Sequence, residues 1–314
     1  MGWLDDRYCG LNIGKNKEYS LRIKKFLKSR DNPEIIKYLI KREVTELASI
    51  SNKEIMGFFH APKINPVPAE LERRLGDITQ EMDAFLGIRQ NSTPAIKQKS
   101  NHRQIHVLSL LCLATISSGL FSFSFSNDTT SALPYLTYFN LTISPVIYGL
   151  LISDSISAAN RADYIPGMIR LPESMSEIEM DCAIFHESAH HAQYDVGFYN
   201  DVRCLREGHA CGVALNMSRQ YALLKDDRRY FVPNVLNSLD HLRASFCWIC
   251  DDMGIKATTE QLCYPDFSFN WKKRLNNYAI GHTFFAVLQT IKGKSVFADV
   301  LRENSVSELE TILA

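Results

Sequence analysis

The stretch Pro172-Glu173-Ser174-Met175-Ser176-Glu177-Ile178-Glu179-Met180-Asp181-Cys182-Ala183-Ile184-Phe185-His186-Glu187-Ser188-Ala189-His190 decides how this chain is read. It ends on His-Glu-x-x-His. Residues four apart in a helix share a face, so the imidazoles of His186 and His190 can reach one metal ion. Glu187, one position after the first His, can work on a water at that metal. The flanking residues predict the helix itself. Ser174-x-x-Glu177 and Ser176-x-x-Glu179 are overlapping capping boxes just after Pro172, and Gly197 supplies a stop. Met180, Ala183, Ile184 and Ala192 are apolar enough to bury the helix beside the ligands.

A catalytic zinc site needs three protein ligands and one open position, and two His with one Glu is a standard set. Downstream of His190 the chain passes an irregular stretch, Gly197-Phe198-Tyr199-Asn200-Asp201. A second apolar-periodic run then opens on Cys204-Leu205-Arg206-Glu207-Gly208-His209-Ala210 and reaches about Leu224. Two antiparallel helices with a short loop between them would return Glu207 to the His pair. The seventeen residues from His190 to Glu207 suit one such loop. The predicted metal is Zn2+ on His186, His190 and Glu207.

With Glu207 in place the chain resembles the gluzincin metallopeptidases. It looks most like the branch in which HExxH is followed by a Leu-x-Glu-Gly-x-Ala glutamate helix, matched by Leu205-Arg206-Glu207-Gly208-His209-Ala210. A further likeness lies in Tyr278-Ala279-Ile280-Gly281-His282-Thr283-Phe284-Phe285-Ala286-Val287-Leu288, then Gly293 and Phe297-Ala298-Asp299-Val300-Leu301. Those families often end with a Tyr-led helix, a Gly turn and a short Leu-rich helix. The resemblance covers residues 145–314. It implies a zinc peptidase and an α+β fold. A zincin-like catalytic domain over 101–314 would hold a small mixed sheet, the active-site helix, the glutamate helix and a helical C-terminal subdomain. A helical region over 1–100 would precede it. Two positions depart from the pattern. Many gluzincins hold a zinc His with an Asp four residues after the ligand Glu, and here that position is Cys211. His209 stands where a small or aliphatic residue is commoner, and reads either as a polar group in the cleft or as a surface histidine. His191, beside a ligand on the helix, reads as solvent-facing.

Composition narrows the function classes. The 35 acidic and 35 basic residues balance to zero net charge, so no electrostatic footprint suggests a nucleic-acid partner. The eight cysteines are scattered, and Cys247-x-x-Cys250 has no second pair to complete a zinc ribbon. Without a signal peptide the expected setting is cytoplasmic and reducing, or secretion by another route, as for a bacterial effector.

Upstream, residues 17–60 read as helices broken at Asn32-Pro33. Pro62, Pro66 and Pro68 form a break, Ala69–Leu86 is another amphipathic helix, and 92–100 is polar enough for a linker. Segment 105–153 carries two readings. Its length and apolarity suit a membrane anchor, whereas the strict Phe/Ser alternation over Leu120–Ser126 is a strand period. The expected arrangement is a buried backing helix over 105–117 and strands near 120–126, 135–143, 146–153 and 163–170. The last would be an edge strand able to pair with an extended substrate.

The expected reaction is hydrolysis of peptide bonds in a protein or peptide substrate, with Glu187 as proton carrier. Tyr278 and His282, four apart on one helix face, are candidates to hydrogen-bond the oxyanion. A catalytically silent zincin-fold binding module is the alternative from a different class. The intact Glu187 argues against it.

Overall fold

Prolines and capping serines set where the helices begin. The computed structural model describes residues 13–29, 31–65, 67–99, 107, 109–118, 162–197, 202–262 and 277–302. The first helices are α1 (Ile13–Lys28), α2 (Asn32–Ala48), α3 (Asn52–Phe59) and α4 (Pro68–Leu86). Pro33 and Pro68 stand in the first turns of α2 and α4, where an N–H would have no intrahelical partner anyway. Ser51 and Glu54 close a capping box at the head of α3. Strands β1 (Ala95–Lys99), β2 (Asp163–Ile165) and β3 (Met168–Pro172) form a small mixed sheet in the order β1-β3-β2. The long helices α5 (Glu177–Asp195), α6 (Arg203–Leu224), α7 (Phe231–Asp252) and α8 (Asn277–Lys292) follow, and then the short α9 (Val296–Arg302). The protein is thus mostly helical with a three-stranded sheet, consistent with an α+β class.

The chain divides into two compact units. One takes residues 1–96, 164–169 and 175–314, and the other 97–163 and 170–174. Within the first, α4 packs on α5, α5 on α6, α6 on α8, and α2 on α7, while α1 lies against α8. The described helices of the first third therefore share a unit with the HExxH helix and do not form one of their own. Their Ile23, Leu27, Ile36, Leu39 and Ile40 are fully buried, as are Phe185, Phe284, Phe285 and Phe297 from the later helices. Full burial of such side chains is worth about 2–3 kcal/mol each.

Several expectations need correction. The polar stretch expected as a linker over 92–100 contains β1, whose Lys and Gln side chains sit at half-buried or exposed positions of an outer strand. The single edge strand expected over 163–170 is a hairpin, because Pro166-Gly167 turns the chain, with Gly167 at φ 78°. β3 runs on to Pro172 as the middle strand, which leaves β2 on the outside among the described residues. Residues 109–118 are helical as expected but not buried: Leu110, Leu111 and Leu113 are 66%, 46% and 61% exposed. The strands expected near 120–126, 135–143 and 146–153, and the loop from 198 to 201, lie outside the described residues. Among the described residues no helix is long and apolar enough to cross a membrane.

Candidate metal centre

The centre is built where α5 meets α6, within the first unit. Of the two capping boxes the sequence offers, Ser176 and Glu179 form the one used. The Glu179 carboxylate accepts from Ser176 N–H at 2.8 Å, and Ser176 Oγ accepts from Glu179 N–H at 3.3 Å. This fixes the helix start at Glu177 and the helical phase of the two histidines.

α6 is held close to α8 by two glycines. A Cβ on Gly208 would come within 2.2 Å of the Gly281 carbonyl carbon, and one on Gly281 within 1.7 Å of the Cys204 oxygen. Only bare backbone permits that approach. The Gly of the Leu-x-Glu-Gly-x-Ala motif and the Gly of the Tyr-led helix are the two sides of one crossing.

Three ligand-type atoms converge. His190 Nε2 lies 3.2 Å from His186 Nε2 and 3.2 Å from Glu207 Oε2, and His186 Nε2 lies 3.5 Å from the same oxygen. Ligands about 2.0–2.2 Å from a tetrahedral zinc stand about 3.3 Å apart. The spacing and the donor set of two imidazole nitrogens and one carboxylate oxygen therefore fit one face of a zinc tetrahedron. Arg206 Nη2 donates to Glu207 Oε1 at 3.2 Å, on the other oxygen, so Oε2 is the one turned to the histidines.

The electrostatics point the same way. Burial opposes charge on Glu207, but His190 and His186 outweigh it and hold the carboxyl well below the usual carboxylate range. Burial likewise opposes charge on His186, and the neighbouring Cys211 and Glu207 hold its imidazolium well above the usual histidine range. The cluster draws positive charge to its centre. Glu187 is buried next to His186 and adds a second negative group.

The two downstream candidates part company. Tyr278 is close enough to Glu207 and His186 to feel their charge. Burial and Glu207 push its phenol up to about 12, so it stays a neutral hydrogen-bond donor. The Arg203 guanidinium lies over its ring at 5.7 Å. His282 is buried elsewhere. Its Nε2 meets Ser238 Oγ at 2.8 Å, and burial, then His241, Arg219 and Arg42, hold it well below the usual histidine range. One helical turn, about 6 Å along the axis, separates the two residues. Over that turn the neighbouring helix changes, from α6 with Arg203 and Glu207 at Tyr278 to α7 with Ser238 and His241 at His282. Same-face spacing alone did not reveal this.

Two other histidines are corrected outright. His191, expected at the surface, is 1% exposed. Its Nε2–H donates to the Ser92 carbonyl at 2.7 Å, and its Nδ1 accepts from the Tyr164 hydroxyl at 3.0 Å. That hydroxyl in turn accepts from Gly167 N–H at 2.9 Å, tying the β2–β3 turn to the HExxH helix. His209 is fully buried, with Phe285 and Phe297 ring centroids 5.5 and 5.7 Å from its own. It bonds Gln193 and the Phe297 carbonyl. Gln193, one turn beyond His190, was missed in the sequence. Its three-residue spacing from a ligand was the signal that could have found it.

Cys211 takes the place of the expected Asp, with Sγ 4.0 Å from His186 Nδ1. Cys247 and Cys250 on α7 are free thiols. No protein-family model, curated protein or solved structure matches this chain.

Proposed function

We propose that the chain is a zinc-dependent metallopeptidase of the gluzincin kind, with its catalytic residues on a zincin-like helix pair. The observation that carries the reading is the spacing of His186 Nε2, His190 Nε2 and Glu207 Oε2, each 3.2–3.5 Å from the others, beside a buried Glu187. Zinc, when bound, would lower the pKa of a water and polarise the scissile carbonyl. The chain's own residues do the rest. Glu187 takes the proton of the attacking water on its carboxylate and hands it to the leaving amine. Tyr278, kept neutral, donates its phenol O–H to the oxyanion. Among the described residues β2 is an outer strand, and its Tyr164 and Ile165 would give a short pairing edge for an extended protein or peptide substrate.

The test is Glu187→Gln against wild type on a complex peptide pool read by mass spectrometry. The expected result is one zinc per chain in both and a fall in cleavage of about 10²–10⁴-fold in the variant. Cleavage at the wild-type rate overturns the mechanism.

A second reading is the same peptidase held at a bilayer through 105–153. It draws on the exposed Leu110, Leu111 and Leu113 of the 109–118 helix. Solubility of the whole chain without detergent decides against it.

A further inference from the structure

The geometry points to a positioning chain, His190–Gln193–His209–Phe297, that fixes the tautomer and orientation of one metal ligand. The inference rests on the zinc reading above and extends it to residues that touch neither metal nor substrate.

Its direction follows from backbone carbonyls at both ends. Gln193 Nε2 is 2.9 Å from the Arg206 carbonyl oxygen, which can only accept, so the amide nitrogen must face that way. The amide oxygen is then the atom 3.0 Å from His190 Nδ1, and His190 must carry its proton there. At the far end, His209 Nε2 is 3.0 Å from the Phe297 carbonyl oxygen and must be the protonated nitrogen. His209 Nδ1 is therefore an acceptor, and the second Gln193 N–H donates to it at 3.0 Å. The outcome is that Nδ1 of His190 is committed to Gln193 and Nε2, the nitrogen turned to Glu207 and His186, is the one left for a metal.

The surroundings keep the chain in this state. Gln193 and His209 are 1% and 0% exposed, so water does not compete for these bonds. The edge contacts from Phe285 and Phe297 hold the His209 ring plane. The short C-terminal α9, which carries no catalytic group in the mechanism, gains a purpose: its Phe297 carbonyl terminates the chain.

The histidines of the site are thus supported unequally. His190 has a complete hydrogen-bonded partner, and His186 has a sulfur at 4.0 Å.

The experiment reads tautomers first. Two-bond 1H–15N correlation spectra of the metal-free protein at mildly alkaline pH should show His190 protonated on Nδ1 and His209 on Nε2. A His190 protonated on Nε2, or averaging between tautomers, overturns the inference. The second readout is Gln193→Met, of similar length but without hydrogen bonds. It should lose the fixed His190 tautomer, weaken zinc in a chelator competition by about 10–100-fold, and shift the visible bands of the cobalt-loaded protein. Wild-type zinc affinity in Gln193→Met overturns the inference. Absence of zinc from a well-folded wild type overturns the peptidase reading instead, and the spectra still decide the chain. The wild-type spectra also decide it if Gln193→Met does not fold.

Discussion

One helix, α6, carries two buried charge clusters, and they are built on opposite rules. Toward its C-terminal half, Arg219 donates to both oxygens of Glu43 at 3.0 and 2.8 Å and to Glu46 at 2.8 Å, while Arg42 donates to Glu43 at 2.6 Å. Two carboxylates meet two guanidiniums, and the planar forks satisfy the oxygens directly. Toward its N-terminal end, Glu207 meets two imidazole nitrogens, one of which is set as an acceptor by Gln193. The first cluster is closed by its own cations. The second sets one cation, Arg206, on Glu207 Oε1 and turns Oε2 to the two histidines, so that three ligand-type atoms meet at a common centre. This difference, more than the presence of histidine, is what marks the second cluster as a candidate metal centre.

The largest effect should come from breaking the closed cluster. Arg219→Met leaves Glu43, which has no solvent exposure, with only Arg42 as partner. The expected loss is about 3–5 kcal/mol of folding stability, because two carboxylates, one fully buried, are left with one cation in place of two. Urea unfolding of the metal-free variant measures it, and zinc should not restore it. A loss under about 1 kcal/mol would mean water reaches Glu43 readily and the cluster is not closed.

Breaking the open cluster should read differently. Zinc at a hundred- to a thousand-fold over its dissociation constant should stabilise wild type by about 3–4 kcal/mol, and a chelator should remove that gain. Glu207→Ala should lose most of this zinc-dependent stabilisation. Thermal melts with and without chelator give both numbers. If Arg219→Met also lost its response to zinc, the two clusters would be one cooperative unit and the contrast would fail.

These clusters were not equally visible in the chain. HExxH and its capping box lie within fifteen residues, so local periodicity was enough to put His186, Glu187 and His190 on one helix, which α5 is. Glu207 needed only one turn-back of the chain. The hidden parts depend on contacts between distant segments. His191 finds Ser92 and Tyr164, and His209 finds Phe297. Buried histidines on helices packed on several sides look the same in sequence as histidines facing water. The sheet was hard to read for a different reason. β1 is five residues of mostly polar sequence and β2 is three, too short for alternation to stand out from a loop. Gly208 and Gly281 were quoted as motif members, but their purpose appears only once α6 and α8 are seen to touch through them.

The smallest predicted effect sharpens the comparison from inside the metal centre. Cys211 stands 4.0 Å from His186 Nδ1, at the outer limit of a sulfur hydrogen bond, whereas His190 has an amide oxygen at 3.0 Å. An aspartate at this position reaches about half an ångström farther and offers a charged acceptor, so its bond to His186 Nδ1–H would be shorter and stronger. Cys211→Asp should therefore tighten zinc, by up to about tenfold, and leave metal-free stability within about 1 kcal/mol of wild type. Chelator competition and urea unfolding give the two values. Weaker zinc binding in Cys211→Asp would show that sulfur is the better partner for His186. The unequal support of the two histidines would then be a setting of the site, with one ligand held rigidly by Gln193 and the other left free to adjust.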